Sequence, residues 1–267
     1  MGCSEPLPEE LHLYPEERGG VPVSVLELQA FDNFSRDGIT FPSKGITIAG
    51  NIYYPDSMDI AIAWIPAAGK TKEDAQDRGI AFASRGIAAL VVDVRGLGQT
   101  SGALLSLEQD AVLFAHEQEP YHHLIVYDAL RAVDALRERG YKCVLLGGES
   151  NGGRIALLAA VQDEKIPGTL LMSTAGFGDI DHPVPEVKRF LTSINPDAYA
   201  PYLKTPTAFI HDIQDPTIPF SAAKETYDKI SSSKTLFTLN KGCHGYCPAM
   251  NEALTQSVEF LTKYCPS

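Results

Sequence analysis

The stretch Cys143-Val144-Leu145-Leu146-Gly147-Gly148-Glu149-Ser150-Asn151-Gly152-Gly153 decides how this chain is read. Cys143–Leu146 is an apolar run suited to a buried strand, and Asn151–Val161 has the composition of a helix. Between them stands Gly148-Glu149-Ser150-Asn151-Gly152. A Gly-x-Ser-x-Gly string is weak alone, because both residue types are common. Between a buried strand and a helix it predicts a sharp turn that lifts the serine above the sheet edge. Residues two positions to either side must then be small, and Gly148 and Gly152 meet that need. Gly153 removes one more side chain beside the turn. The helix N-terminus brings the positive end of its dipole under the serine oxygen.

Working outward, the pattern alternates. Upstream, Ile46-Thr47-Ile48 and Asn51-Ile52-Tyr53-Tyr54 read as a hairpin turning at Ala49-Gly50. Ala61–Ile65 and Ile87–Val92 read as buried strands, with a helix across Thr71–Arg85 between them. Thr71 is its candidate N-cap and Gly86 its closing glycine. His122–Arg139 is an amphipathic helix with Val126, Leu130, Val133 and Leu136 on one stripe. Downstream follow strands at Thr169–Met172, Thr207–Ile210 and Thr235–Leu239. A helix spans Ser221–Ile230, and Met250, Leu254, Val258 and Leu261 mark a last one. Strands alternating with helices predict an α/β fold: a mostly parallel central sheet with helices on both faces and antiparallel strands at the N-terminal edge. Residues 1–22, rich in Pro and Glu, read as an extended lead-in, and 23–267 as a single domain. The proline-rich segment 175–204 breaks the rhythm and reads as a small cap.

The chain has 267 residues, with 22 Lys+Arg against 34 Asp+Glu, a net charge of −12. That charge repels phosphate backbones, so nucleic acid is not an expected partner. Hydrophobic residues make up 44%, enough for a packed core. No run approaches the ~18 apolar residues of a transmembrane helix. An odd count of five cysteines in a chain this long does not read as a disulfide framework. Cys143, in an apolar run, reads as a core thiol; Cys243, Cys247 and Cys265 are candidates for a bond in an oxidising compartment. Cys243, His244 and Cys247 together raise a zinc reading, for which a second ligand cluster is missing. No signal peptide precedes Met1-Gly2-Cys3-Ser4, which as written predicts a cytoplasmic protein. Gly-Cys-Ser also resembles the mature start of a bacterial lipoprotein anchored at Cys3, the alternative. Myristoylation at Gly2 is disfavoured by Pro6.

A serine hydroxyl needs a base. Among the seven histidines, His244 follows the last strand between Gly242-Cys243 and Gly245, in a loop free to swing an imidazole over the sheet edge. His211 ends a strand and is the rival. His12, His116, His122, His123 and His182 lie in the lead-in, at or before a helix start, or in the cap. The imidazole needs a buried acceptor to hold its tautomer. Asp215, beyond the strand Thr207–Ile210, is the candidate; Asp212 is the fallback, and Asp179 and Asp181 are weaker.

The order Ser150, Asp215, His244 resembles that of the α/β-hydrolase superfamily. The chain is most similar to its dienelactone-hydrolase-like and acetyl-xylan-esterase-like serine hydrolases, over about residues 40–264. Pro66-Ala67-Ala68-Gly69 stands where the family often has Pro-x-His-Gly, with Ala68 in the histidine place. Asp93-Val94-Arg95-Gly96-Leu97-Gly98-Gln99-Thr100-Ser101-Gly102 resembles the family's D-x-R-G-x-G-x-S-x-G loop, with Thr100 in the serine place. Pro206 through Pro219 resembles its strand ending in an aspartate loop. Dienelactone hydrolases proper use a cysteine, so Ser150 favours the serine route.

The resemblance implies a serine hydrolase acting on small carboxylic esters through an acyl-enzyme. Ser150 is then the nucleophile, His244 the base and Asp215 its orienting acid, with no metal or organic cofactor required. The expected oxyanion donors are the backbone N–H groups of Asn151 and Lys70. Tyr121, Phe177 and Tyr246 are candidate pocket residues. A serine peptidase or thioesterase of the same fold, and a non-catalytic binding protein, are the alternatives.

Overall fold

In strands whose two faces are both covered by helices, nearly every side chain must be apolar. Ala61-Ile62-Ala63-Trp64-Ile65, Ala88-Ala89-Leu90-Val91-Val92 and Cys143-Val144-Leu145-Leu146 are such runs, and all are buried. They form the middle of the sheet in the computed structural model, which describes residues 13–15, 17–30, 34–55 and 59–266. Gly2, Cys3, Pro6 and His12, and with them the lipoprotein and myristoylation readings, lie outside the described residues.

Among the described residues the strands are β1 (Ser24–Ala30), β2 (Ser35–Ser43), β3 (Ile46–Tyr54), β4 (Ile60–Ile65), β5 (Ala88–Val92), β6 (Cys143–Glu149), β7 (Thr169–Met172), β8 (Thr207–Asp212) and β9 (Lys234–Leu239). They form one sheet in the order β1-β2-β3-β5-β4-β6-β7-β8-β9. Pairing is antiparallel from β1 through β3 to β5, and parallel from β5 to β9. The helices are α1 (Gln76–Ala83), α2 (Leu107–Ala115), α3 (Tyr121–Glu138), α4 (Asn151–Ala160), α5 (Pro185–Ser193), α6 (Pro196–Tyr199), α7 (Phe220–Lys229) and α8 (Asn251–Thr262).

Period-2 alternation divides the core. Ala61, Ala63, Ile65, Val144, Leu146, Leu171 and Phe209 face one side, where they meet Leu130, Val133 and Leu136 of α3 and Ile155 and Leu158 of α4. Ile62, Trp64, Leu145, Leu170, Met172 and Ile210 face the other side, where they meet Phe82 of α1 and Leu254, Val258 and Leu261 of α8. Each large aliphatic side chain so buried contributes roughly 1.5–3 kcal/mol.

Three expectations need correction. The first hairpin does not turn at Ala49-Gly50. β3 runs straight through that dipeptide, and the turn falls at Lys44-Gly45, both with positive φ, between β2 and β3. Gly50 serves a close approach instead: a Cβ there would lie 2.7 Å from Leu90 Cδ1 on the paired β5. Cys143 is not a free core thiol, because it is bonded to Cys265 beyond α8. The first helix is shorter than Thr71–Arg85, since Thr71 and Asp74 close a hydrogen-bonded turn before it.

Helix α2 was not legible from hydropathy. Its one buried residue is Asp110, while Leu107 and Val112 are exposed, and a capping box between Ser106 and Gln109 opens it. The segment expected as a cap holds α5, α6 and a short 3-10 turn at Ala200–Tyr202. Its Phe190 packs against Phe114 of α2.

Candidate active site

Ser150 joins β6 to α4 with φ 53° and ψ −121°. A non-glycine residue holds this conformation only where its surroundings impose it. Here Ser150 N–H donates to Met172 O at 2.9 Å, and Thr174 Oγ1 donates to Ser150 O at 2.7 Å. The turn also lies hard against the end of β4. A Cβ at position 152 would sit 2.0 Å from Ile65 O, so the second glycine of the string is required sterically.

In a parallel sheet the loops after β6, β8 and β9 emerge on one edge, where α/β sheets bind ligands. Asp215 follows β8 and His244 follows β9, and both reach Ser150. His244 Nε2 lies 3.0 Å from Ser150 Oγ, and Nδ1 lies 2.9 Å from Asp215 Oδ2 and 3.0 Å from Oδ1. With its proton on Nδ1 the imidazole donates to Asp215 and accepts from the serine hydroxyl. The Asp215 side chain is fully buried. Its Oδ1 also accepts from Thr217 N–H at 2.8 Å and Ile218 N–H at 2.9 Å, which fix its orientation.

His211 is buried beneath this pair, 3.8 Å from Asp215 Oδ2, and its Nε2 meets Ile218 O at 3.0 Å. Burial pushes its pKa below the ordinary histidine value. His122 pairs with Asp110, His123 with Ser193, and His116 with Val112 O; His122 lines the cavity beside Asn151, but it is His244 that is hydrogen-bonded to Ser150.

The fallback acid Asp212 has another task. Its Oδ2 accepts from Lys241 N–H at 2.9 Å and Cys243 N–H at 3.1 Å, and its Oδ1 from Gln214 N–H at 2.9 Å. Burial pushes its pKa upward, but the backbone donors outweigh that and hold it below the usual carboxylate value. Cys243 and Cys247 are bonded to each other, so a zinc site on Cys243, His244 and Cys247 is not formed. Among the described residues no three His, Cys, Asp or Glu side chains cluster as metal ligands.

Other expected site residues are redistributed. The Lys70 N–H donates to Ala67 O at 3.1 Å, closing a turn, and is not a free oxyanion donor. The Asn151 N–H has no acceptor among the described residues. Tyr121 is buried, with its hydroxyl donating to Arg95 O at 2.9 Å. Tyr246 turns away: its N–H donates to Glu149 and its hydroxyl to Asn251. Phe177 does line a cavity of about 80 Å³ beside Asn151, with Leu107, Ile125, Ile155, Leu158 and Ile194. Arg154 stacks over the Phe177 ring at 4.8 Å from its centroid.

The Asp93 loop is a scaffold. Its carboxylate accepts from Lys72 N–H at 2.6 Å and Lys72 Nζ at 2.9 Å, which ties down the chain just after Lys70. Arg95 pairs with Asp128 through two bonds, at 2.8 and 2.9 Å. Thr174, Glu149 and Arg78, which support the site, had no sequence signal beyond the place of Glu149 inside the Gly-x-Ser-x-Gly string.

No family model matches the chain, and no curated protein matches it. Solved structures do. An acetyl xylan esterase from Paenibacillus sp. R4 superposes with a TM-score of 0.75 at 20% identity, covering 90% of this chain and 88% of that one. Acetyl xylan esterase 1 from Thermoanaerobacterium sp. JW/SL YS485 gives 0.71 at 17%, covering 92% and 89%. A dienelactone hydrolase from Anabaena variabilis ATCC 29413 gives 0.60 at 18%, covering 88% and 100%. The chain has the α/β-hydrolase fold. No helix among the described residues is long and apolar enough to cross a membrane.

Proposed function

We propose that the protein is a serine hydrolase that cleaves small carboxylic esters through an acyl-enzyme. One observation carries this reading: the unbroken hydrogen-bond chain from Ser150 Oγ through His244 to the buried Asp215. Ser150 Oγ attacks the acyl carbonyl while His244 Nε2 takes its proton. Asp215 holds the Nδ1 proton and stabilises the imidazolium. The oxyanion is met by the Asn151 N–H and by an N–H of the Ala67–Gly69 segment, each contributing about 3–4 kcal/mol. His244 then protonates the departing alcohol, and water, activated by the same imidazole, releases the acid. None of these steps uses a metal or organic cofactor.

The cavity beside Asn151 is small, about 80 Å³, and supports a short acyl group. The structural neighbours, two acetyl xylan esterases among them, are compatible with that reading. Two disulfides in one chain favour an oxidising, extracytoplasmic setting over the cytoplasmic one expected from the sequence as written.

The test is fluorophosphonate labelling followed by mass spectrometry, with a panel of p-nitrophenyl esters from acetate to palmitate. Labelling at Ser150 and turnover of acetate and butyrate are expected. A labelled residue other than Ser150, or no turnover on any ester, would overturn the proposal.

A further inference from the structure

The catalytic base proposed above sits on a short loop rather than on a strand or helix, so its precision must come from whatever holds that loop. On one side the loop hangs from Asp212, through the N–H groups of Lys241 and Cys243. On the other it rests on Glu149, the residue immediately before the nucleophile. Glu149 is completely buried. Its Oε2 accepts the Tyr246 N–H at 2.9 Å. Gly245, with φ +72°, lets the backbone lie directly on the carboxylate: a Cβ there would be 3.0 Å from Glu149 Oε2.

A buried carboxylate is costly unless it is paired and hydrogen-bonded. Arg78, reaching across from α1, supplies the pairing. Its Nε and Nη2 each lie 3.1 Å from Glu149 Oε2, and Nη2 lies 2.9 Å from Oε1. The same guanidinium is placed by Asp77 Oδ1 at 2.6 Å and Asp74 O at 3.2 Å. It also sits 5.7 Å from the centroid of the Tyr246 ring. Nucleophile strand, helix α1 and base loop therefore meet at a single carboxylate.

We propose that Glu149, charge-balanced by Arg78, is a positioning residue for the general base: by binding the backbone of Tyr246 it sets the distance of His244 from Ser150. The inference rests on the hydrolase reading above. Glu149 touches neither substrate nor reacting atoms. Its contribution is geometric, and misplacement of a reacting group by about 1 Å can cost roughly 100-fold in rate. A Gln at 149 keeps an oxygen for the Tyr246 N–H, whereas Ala leaves that donor unpaired and leaves Arg78 only its bonds to Asp77 and Asp74.

The experiment compares Glu149→Ala, Glu149→Gln and Arg78→Met with the native enzyme on p-nitrophenyl acetate, beside Ser150→Ala as the control for the hydrolase reading. Glu149→Ala is expected to lower kcat about 10- to 100-fold with KM within about twofold. Glu149→Gln should recover most of that loss, and Arg78→Met should fall between the two. The second readout does not depend on turnover: the NMR resonance of the His244 Nδ1 proton in its bond to Asp215 should broaden or vanish in Glu149→Ala and persist in Glu149→Gln.

A folded Glu149→Ala that keeps native kcat and the native proton resonance, losing only thermal stability, would make Glu149 purely structural and overturn the inference. So would a Gln variant as impaired as Ala. If Glu149→Ala does not fold, Arg78→Met and Glu149→Gln decide by the same two readouts. Absence of esterase activity in the native protein would remove the hydrolase reading but leave the resonance test of positioning in force.

Discussion

The Asp212 carboxylate accepts the backbone N–H of Cys243 at 3.1 Å, so the end of β8 holds the loop that carries His244, the proposed base, and Asp215 three residues later receives its imidazole. Asn at 212 would turn an NH2 group toward N–H donors on one side or the other. Asp212→Asn is expected to lower kcat roughly 10- to 100-fold, less than Asp215→Asn, with KM little changed. Steady-state kinetics on p-nitrophenyl acetate check this; a larger loss than for Asp215→Asn would mean that the orienting acid is Asp212.

Ser150→Ala and His244→Ala should each reduce kcat at least ~10³-fold, because the members of the proposed triad would act as a unit, and Asp215→Asn somewhat less. The double variant Ser150→Ala/His244→Ala should be little worse than either single one. Additive losses in that cycle would contradict a shared proton-transfer step.

The cavity walls are expected to set acyl length. Ile194 and Phe177 line the small space beside Asn151. Ile194→Ala should shift the preferred p-nitrophenyl ester toward longer chains, raising the hexanoate-to-acetate ratio of kcat/KM severalfold. An unchanged ratio would place the acyl group elsewhere.

The two disulfides should separate in effect. Cys143–Cys265 closes a span of 122 residues, and replacing both by Ser is expected to cost about 2–5 kcal/mol, a drop of roughly 5–15 °C in Tm. Cys243–Cys247 spans four residues. Its double Ser variant should keep activity within about tenfold, since Asp212 and Glu149 still hold the loop. Calorimetry and ester turnover measured on the same preparations test both statements.

His211 predicts a pH dependence. Burial lowers its pKa below the ordinary 6.5, so the folded protein refuses a proton that the unfolded chain accepts. Between pH 6.5 and the lower folded value the unfolded state binds more protons, and stability falls as pH falls. Urea unfolding from pH 7 to pH 5 should show this loss, and His211→Gln should reduce it. An identical slope in the variant would assign the loss to other groups.

Much of this was legible in one dimension. Apolar runs bounded by glycine marked the central strands. The strand–Gly-x-Ser-x-Gly–helix succession marked Ser150, and strand order alone put Asp215 and His244 on its edge. These signals are local: a buried strand and a sharp turn each leave composition and spacing that a few residues express by themselves.

Tertiary structure decided the rest. That Ala49-Gly50 is no turn follows from its pairing with β2 and with β5, some forty positions away. That Cys143 is bonded depends on where α8 ends, and that the Lys70 N–H is spent depends on the turn around Ala67. Asp212 and Asp215 look alike in the sequence. Only the folded chain brings the imidazole to one and the backbone of Lys241 and Cys243 to the other. A hydrogen bond is satisfied by proximity in space, and the partners of Asp212 and Glu149 lie 29 and 97 positions away along the chain, a separation that no local pattern records.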